Sequence, residues 1–264
     1  MITSRTNPKT KQVRALRQRK ERDATGLFIV EGITHVAAAI EADARVEYVC
    51  YAPELLTSPF ARTLLERESA RGLQCLPTTP DVFKSISEKD NPVGIIAVVH
   101  QIRHTLDHLT PDAFNFGVAL VSPQDPGNIG SILRTIDAVG ASGLILLDGG
   151  VDVYHPHAVR ASMGALFYKQ AVSASFGEFT TWARQHAYHV VGTSARASSD
   201  YRTTQYESPL ILLMGSEQKG LSAEQIAICN VAVRMPMLGK VSSLNLSVAA
   251  GVMLYEVLAH SRAG

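Results

Sequence analysis

Apolar residues along this chain occur in two formats: short unbroken runs, and longer stretches in which they recur every three or four positions. Short runs bounded by Gly, Pro or Asn read as buried strands, and the three-to-four spacing reads as helix. In the first hundred residues this predicts a basic helix near 8–22, a strand at LFIVEG (27–32), a helix over 33–42 and a strand at RVEYVCYA (45–52). A helix from Pro59 to Ala70, a short strand at GLQCLP, one or two helical turns at PDVFKSIS and an apolar strand at GIIAVVH follow. Residues 100–115, HQIRHTLDHLTPDAFN, are polar and His-rich between apolar strands, a composition shift that marks a domain boundary. The division is therefore 1–101, a linker at 102–115, and 116–264.

From 116 onward strand and helix alternate more plainly. FGVALVS, SGLILLDG, a segment near 169–174, YHVVGTS, PLILLMG and VAVRMP read as strands. IGSILRTIDAVG, HAVRASMGALF, FTTWARQHA and SAEQIAICN read as helices between them. Strands this apolar are covered on both faces, so the expected class is α/β, with a parallel sheet flanked by helices behind a smaller N-terminal α/β domain. The last element, inside PMLGKVSSLNLSVAAGVMLYE (236–256), is apolar almost all round and reads as a buried helix. Four polar side chains stand at its mouth: Ser242, Ser243, Asn245 and Ser247. One helix cap needs one such residue, so four imply a further task.

Composition narrows the class. The chain has 264 residues, 46% of them apolar, enough for one large domain or two modest ones. No apolar run reaches membrane-spanning length and no secretory leader opens the chain. Cys50, Cys75 and Cys229 are scattered, odd in number and lack metal-type spacing, which points to a reduced, cytoplasmic protein with small buried thiols. His104 and His108 are four apart but lack a third ligand, so they read as linker histidines, and no metal is expected. The net charge of +1 hides an asymmetry: residues 1–23 carry +6 and the remainder −5. A basic arm bearing Arg5, Lys9, Lys11, Arg14, Arg17 and Arg19 suggests contact with RNA; a solvated helix face or an organellar targeting peptide is the plainer alternative.

In an open α/β sheet, ligands bind beyond the carboxyl ends of strands, and three loops in that position have unusual chemistry. SPQDPGNIGSILRT offers Asn128 as a helix cap and Arg134 on the second turn; its G-x-x-G does not meet the dinucleotide fingerprint. MGSEQKGLS holds Glu217 between Gly215 and Gly220, which permit close backbone approach, with Ser222 as a cap for the next helix. The third loop is the stretch from Met235 to Ser247.

In this order and spacing, NIGSILRTIDAVG, MGSEQKGLS and MPMLGKVSSLNLSVAAGVMLYE resemble the three motifs of the SpoU (TrmH) family of S-adenosylmethionine-dependent RNA 2′-O-ribose methyltransferases, within the SPOUT class. VDVYHPHAVRASMGALF also resembles the family, and NPKTKQVRALRQRK, FIVEG and EKDNPVGIIAVV resemble the substrate-binding domain of its two-domain ribosomal-RNA members. The resemblance implies a deep trefoil knot in the catalytic domain, a homodimer with the active site near the subunit interface, and 23S rRNA as the substrate, with tRNA as the alternative. It also implies S-adenosylmethionine held by Gly215, Met235 and Leu244 through backbone groups, with Thr193 and Met214 lining the site. Asn128, Arg134, Glu217, Ser243 and Asn245 match the polar positions associated with catalysis. Arginine stays protonated at neutral pH, so Arg134 is expected to clamp phosphate and steady developing alkoxide rather than act as base. The base is left open among phosphate, water and Glu217. A non-catalytic RNA-binding or assembly factor on the same fold, and a nicotinamide-dependent oxidoreductase, are the rival classes; intact motifs argue against the first and the missing glycine fingerprint against the second.

Overall fold

The computed structural model describes residues 1–263, which form two compact units. The first unit comprises Met1–Ile102 and Tyr154–Phe167, and the second the remaining residues. Through its first hundred residues the chain runs α1 (Pro8–Ala15), α2 (Arg19–Thr25), β1 (Leu27–Glu31), α3 (Ile33–Glu41), β2 (Val46–Tyr51), α4 (Pro59–Ala70), β3 (Cys75–Pro77), α5 (Pro80–Ile86) and β4 (Ile95–His100). The sheet order is β1-β4-β2-β3, with β4 antiparallel to both neighbours and β2 parallel to β3.

The basic segment forms two helices rather than one. The Arg22 guanidinium, 1% exposed, folds back to donate to the carbonyls of Leu16 and Arg17 at 3.0 and 2.7 Å. It thereby satisfies carbonyls that the end of α1 leaves without helical partners. Val13 of α1 and Leu16, the residue that follows it, pack with Ile29, Tyr48, Phe83, Ile96 and Val98 in this unit's core.

The second part of the chain adds β5 (Phe116–Val121), α6 (Pro126–Ala138), β6 (Gly143–Leu147), α7 (Pro156–Ala161), β7 (Gln170–Ala174), α8 (Phe176–Gln185), β8 (His189–Thr193), β9 (Ser199–Asp200), β10 (Leu210–Met214), α9 (Ala223–Ala227), β11 (Val231–Arg234) and α10 (Leu246–Ala263). Seven strands make one parallel sheet in the order β7-β6-β5-β10-β8-β11-β9. Every residue of β6 and β10 is buried, as unbroken apolar runs in a doubly covered sheet require.

Four further local readings differ from the sequence expectation. Residues 103–115 are not a tether: Leu106, Leu109 and Phe114 sit in the second unit's core with Phe179 and Trp182, whose indole N–H donates to the Leu109 carbonyl at 3.1 Å. The polar residues between them hid three inward-facing apolar anchors. The helix expected over 157–167 stops at Ala161, because Met163 (φ 51°) and Gly164 (φ 96°) are left-handed and end it. That segment belongs to the first unit, where the Tyr154 ring lies 4.7 Å from Phe28 and α7 packs along β1. Asn128 does not cap α6; Asp125 does, accepting from the Gly127 amide at 2.7 Å, with Pro126 at the first helical position. Finally, α10 buries Leu246, Ala250, Met253 and Leu254 but leaves Val248 and Tyr255 51% and 55% exposed, so the chain alone covers only part of it.

Among the described residues, no helix is long and apolar enough to cross a membrane.

Candidate cofactor and catalytic site

The carboxyl ends of β8, β10 and β11 lie side by side in the parallel sheet, and the loops that follow them enclose a cavity of about 640 Å³. Thr193, Met214, Gly215, Met235 and Leu244 all line it, as do Glu217 and Ser243. Its apolar wall is Met214, Leu221, Ile226, Val233 and Leu246, and its polar rim carries the hydroxyls of Ser194, Ser216, Ser242 and Ser243. The volume falls in the range of roughly 300–1,000 Å³ usual for small-molecule sites. An apolar wall for a purine ring and a rim rich in backbone and hydroxyl groups suit S-adenosylmethionine, which has an aromatic base, a ribose and a charged amino-acid tail.

The second loop is a tight return. The Gly220 amide donates to the Ser216 carbonyl at 2.9 Å, and Gly220 is left-handed at φ 65°. A Cβ on Gly215 would stand 2.0 and 2.3 Å from the carbonyl carbon and oxygen of Gly220 and 2.3 Å from the Leu221 nitrogen. Only glycine lets these backbone segments approach so closely. Ser222 and Gln225 then form a capping box that starts α9, as MGSEQKGLS implies.

Glu217 joins two of the three loops. Its Oε1 accepts from Asn128 Nδ2 at 3.2 Å and its Oε2 from the Gln124 amide at 3.3 Å. Asn128 is 6% exposed, so its side chain is a buried strut rather than the cap the sequence suggested. With both carboxylate oxygens accepting, Glu217 acts here as a clasp that positions the loops.

The four polar residues before α10 divide their work. Ser242 and Ser243 face the cavity, while Asn245 caps the helix: its Oδ1 accepts from the Ser247 amide at 2.9 Å, the Ser247 hydroxyl at 2.7 Å and the Val248 amide at 3.4 Å. Neither Asn245 nor Arg134 lines the cavity. Arg134 is exposed on α6 and carries no ion pair among the described residues. Sequence reasoning missed Ser194, Ala195 and Arg196, which line the cavity from the loop after β8. The available signal was their position immediately past an apolar strand.

The cysteines take no part in this chemistry. Burial pushes the Cys50 thiol up to about 12 and Cys229 up to about 11, so both stay protonated and poorly nucleophilic at neutral pH. Among the described residues, no cluster of three His, Cys, Asp or Glu could hold a metal ion.

A parallel α/β sheet with a glycine-built cup at the carboxyl ends of adjacent strands defines a small-molecule-binding enzyme class, and likeness to known proteins makes it specific. Residues 115–255 match the SpoU rRNA Methylase family and residues 7–97 the MRM3-like substrate binding domain. The chain is 37% identical to the 23S rRNA (uridine(2479)-2′-O)-methyltransferase of Streptomyces viridochromogenes, over 97% of this chain and 91% of that protein. It is 27% identical to the 23S rRNA (guanosine(2553)-2′-O)-methyltransferase of Bacillus subtilis, over 97% of this chain and 98% of that one. The AdoMet-bound rRNA methyltransferase of Sinorhizobium meliloti has the same fold at a TM-score of 0.89 and 36% identity, covering 98% of this chain and 97% of its own. The chain belongs to the SpoU rRNA methylase family.

Proposed function

We propose that this protein transfers the methyl group of S-adenosylmethionine to a ribose 2′-hydroxyl of 23S ribosomal RNA. The observation that carries the reading is the glycine-built cup clasped through Glu217 to Asn128 on the helix that bears Arg134. Relatives named as 23S rRNA 2′-O-methyltransferases over nearly the whole length support the substrate, and neighbours bound to AdoMet support the donor. The two named relatives act on a uridine and a guanosine, so the fold does not by itself fix the target base.

The cofactor supplies an electrophilic methyl on a sulfonium. The chain's part is placement: Gly215, Met235 and Leu244 hold the donor, and Thr193 and Met214 close its wall. Methyl transfer needs oxygen, carbon and sulfur in line, and holding the reactants so is worth several kcal/mol, on the order of 7–11 at best. Arg134 remains a cation, clamping the phosphate beside the target ribose and steadying charge as the hydroxyl proton leaves. Since both Glu217 oxygens already accept hydrogen bonds, phosphate or water is the better proton acceptor. Ser243 sits on the rim where a ribose hydroxyl can be met, and Asn245 fixes that rim by capping α10.

The basic N-terminal segment supplies RNA affinity in this reading, though most of its charges also serve the fold. Arg5 pairs with Asp81 at 2.6 Å, Arg14 donates to the Arg5 carbonyl, and Arg17 donates to the Ile86 carbonyl at 2.8 Å and meets Glu88 at 3.6 Å. Lys9 lies 4.0 Å over the Tyr48 ring and Arg19 meets Asp23 at 3.5 Å, while Lys11 is exposed. Lys11 and Arg19, in the open, are the better RNA contacts.

The reading includes a trefoil knot, a cytoplasmic setting and a homodimer. The dimer is supported by the uncovered side of α10, where Val248 and Tyr255, seven residues apart, share a helix face. Replacing both by Glu is expected to convert a dimer into a monomer of half the mass by light scattering; a mass unchanged by the double variant would place the interface elsewhere. Mapping 2′-O-methyl groups in 23S rRNA with and without the gene tests the function. One ribose methyl should vanish, and an unaltered map would refute the assignment.

A further inference from the structure

The cofactor cavity is lined by two cations that the chain itself leaves without a counter-charge. Among the described residues lining it, Glu217 is the only acid, while Arg196 and Lys219 are both basic. Both cations are exposed, and neither has an ion-pair partner among the described residues. The acids of the surrounding loops are already engaged. Glu217 accepts from Asn128 Nδ2 and the Gln124 amide, and Asp200, four residues after Arg196, accepts from Arg202 Nε and Nη2 at 3.0 and 2.9 Å.

The backbone that carries Arg196 is fixed. β8 ends at Thr193, and the next amide, that of Ser194, donates to the Val233 carbonyl of β11 at 2.9 Å. The Ala197 amide returns to the Ser194 carbonyl at 3.2 Å, and the Arg196 amide donates to the Ser194 hydroxyl at 3.3 Å. A turn closed twice over in this way starts the Arg196 side chain from a set point at the cavity wall. Lys219 comes from the other side of the cup, on the 216–220 return after β10. S-adenosylmethionine brings a sulfonium, an ammonium and a single carboxylate, so it is a cation overall. Two bases and one acid around such a ligand repel it unless its charges are sorted. The carboxylate is the one group of the donor that a cation can hold, and a guanidinium meets it with two parallel N–H donors, a fit an ammonium cannot copy.

We propose that Arg196 grips the carboxylate of the donor's methionine tail, both carboxylate oxygens accepting from the guanidinium. The proposal rests on the S-adenosylmethionine reading above and deepens it. The loop after β8 receives the amino-acid end of the donor, and the apolar wall of Met214, Leu221, Ile226, Val233 and Leu246 is left for the base. Arg196 thereby becomes the residue that tells S-adenosylmethionine from sulfonium nucleosides that lack the acid. Lys219 adds positive potential and no fixed contact.

Calorimetry of the full-length protein with S-adenosylmethionine and with its decarboxylated analogue tests this, since the analogue keeps the sulfonium and the ammonium and loses only the acid. The wild type is expected to bind the analogue about tenfold more weakly, the scale of one charge-assisted contact that water still screens in part. Arg196→Gln should weaken S-adenosylmethionine about tenfold and leave the analogue nearly unchanged, so that the ratio of the two affinities falls to about one. Arg196→Lys should keep part of the discrimination, which a purely structural role for Arg196 would not require. Lys219→Gln removes the same charge from the other loop and should leave the ratio within about threefold of the wild type. A wild type that binds both ligands equally, or an Arg196→Gln variant that keeps the wild-type ratio, would overturn the proposal and leave the donor reading standing. A ratio that collapses in Lys219→Gln would put the carboxylate on the other loop or in a general field, and overturns it as well. Loss of affinity for 23S rRNA transcript in Arg196→Gln with the donor ratio unchanged would make Arg196 an RNA contact instead. A wild type that binds neither ligand would remove the donor reading itself.

Discussion

Arg134→Ala is expected to lower the rate of methyl transfer by at least about 100-fold while leaving S-adenosylmethionine affinity unchanged, because a single preorganised charge at a reacting oxygen is worth on the order of 10²–10³ in rate. The geometry separates the two effects. Arg134 stands on the exposed side of α6, outside the cofactor cup, and has no ion-pair partner among the described residues that its loss would orphan. Asn128, near the start of the same helix, is buried and tied to Glu217, so the helix is held against the second loop without help from Arg134. Fold and donor binding should therefore survive. What is lost is a permanently charged fork that can grip phosphate in two-pronged fashion, and Arg134→Lys should recover only part of it. Tritium transfer from labelled donor into 23S rRNA transcript measures the rate, and calorimetry the affinity. A variant turning over at the wild-type rate would remove Arg134 from the chemistry.

Gly215→Ala is expected to weaken S-adenosylmethionine binding by about 100-fold or more, roughly 2.8 kcal/mol at 1.4 kcal/mol per tenfold. Its Cβ would collide with backbone at Gly220 and Leu221, at 2.0–2.3 Å, and backbone cannot swing aside as the end of a flexible side chain can. The loop must open, which carries Glu217 away from Asn128 and the Gln124 amide and parts the walls of the cup. Overpacking of this kind costs about 1–3 kcal/mol, and for a chain this size each kcal/mol lowers Tm by roughly 2–4 °C. The protein should stay folded at room temperature with a depressed Tm. Calorimetric affinity at the wild-type level would show that the close approach of Gly215 and Gly220 is not what shapes the cup.

The parallel sheet was legible because its strands are unbroken apolar runs, LILLM in β10 and GLILL in β6 among them, each set between turn residues. The cup was legible for a related reason: polar and glycine-rich loops directly after such strands fall at one edge of the sheet, and motif resemblance supplied the chemistry. Local signals went astray where a stronger neighbour competed. Asp125-Pro126 was available as a cap and first helical position, yet Asn128 drew the assignment, and its real partner, Glu217, is 89 residues distant. Long-range packing left no local trace. Nothing in HTLDHLTPDAF announces that Leu106, Leu109 and Phe114 enter a core with Trp182, nor does YHPHAVRASMGALF announce that it joins the first unit beside Phe28. The apolar composition of α10 predicts burial on every side, whereas Val248 and Tyr255 stand exposed on the single chain.

The most direct test of the central claim is a crystal structure of this protein grown with S-adenosylmethionine. The donor is expected in the cup, contacting the backbone at Gly215, Met235 and Leu244, with its methyl group directed toward the side on which Arg134 stands. Density for the donor at any other place, or a cup that stays empty at saturating concentration, would contradict the account.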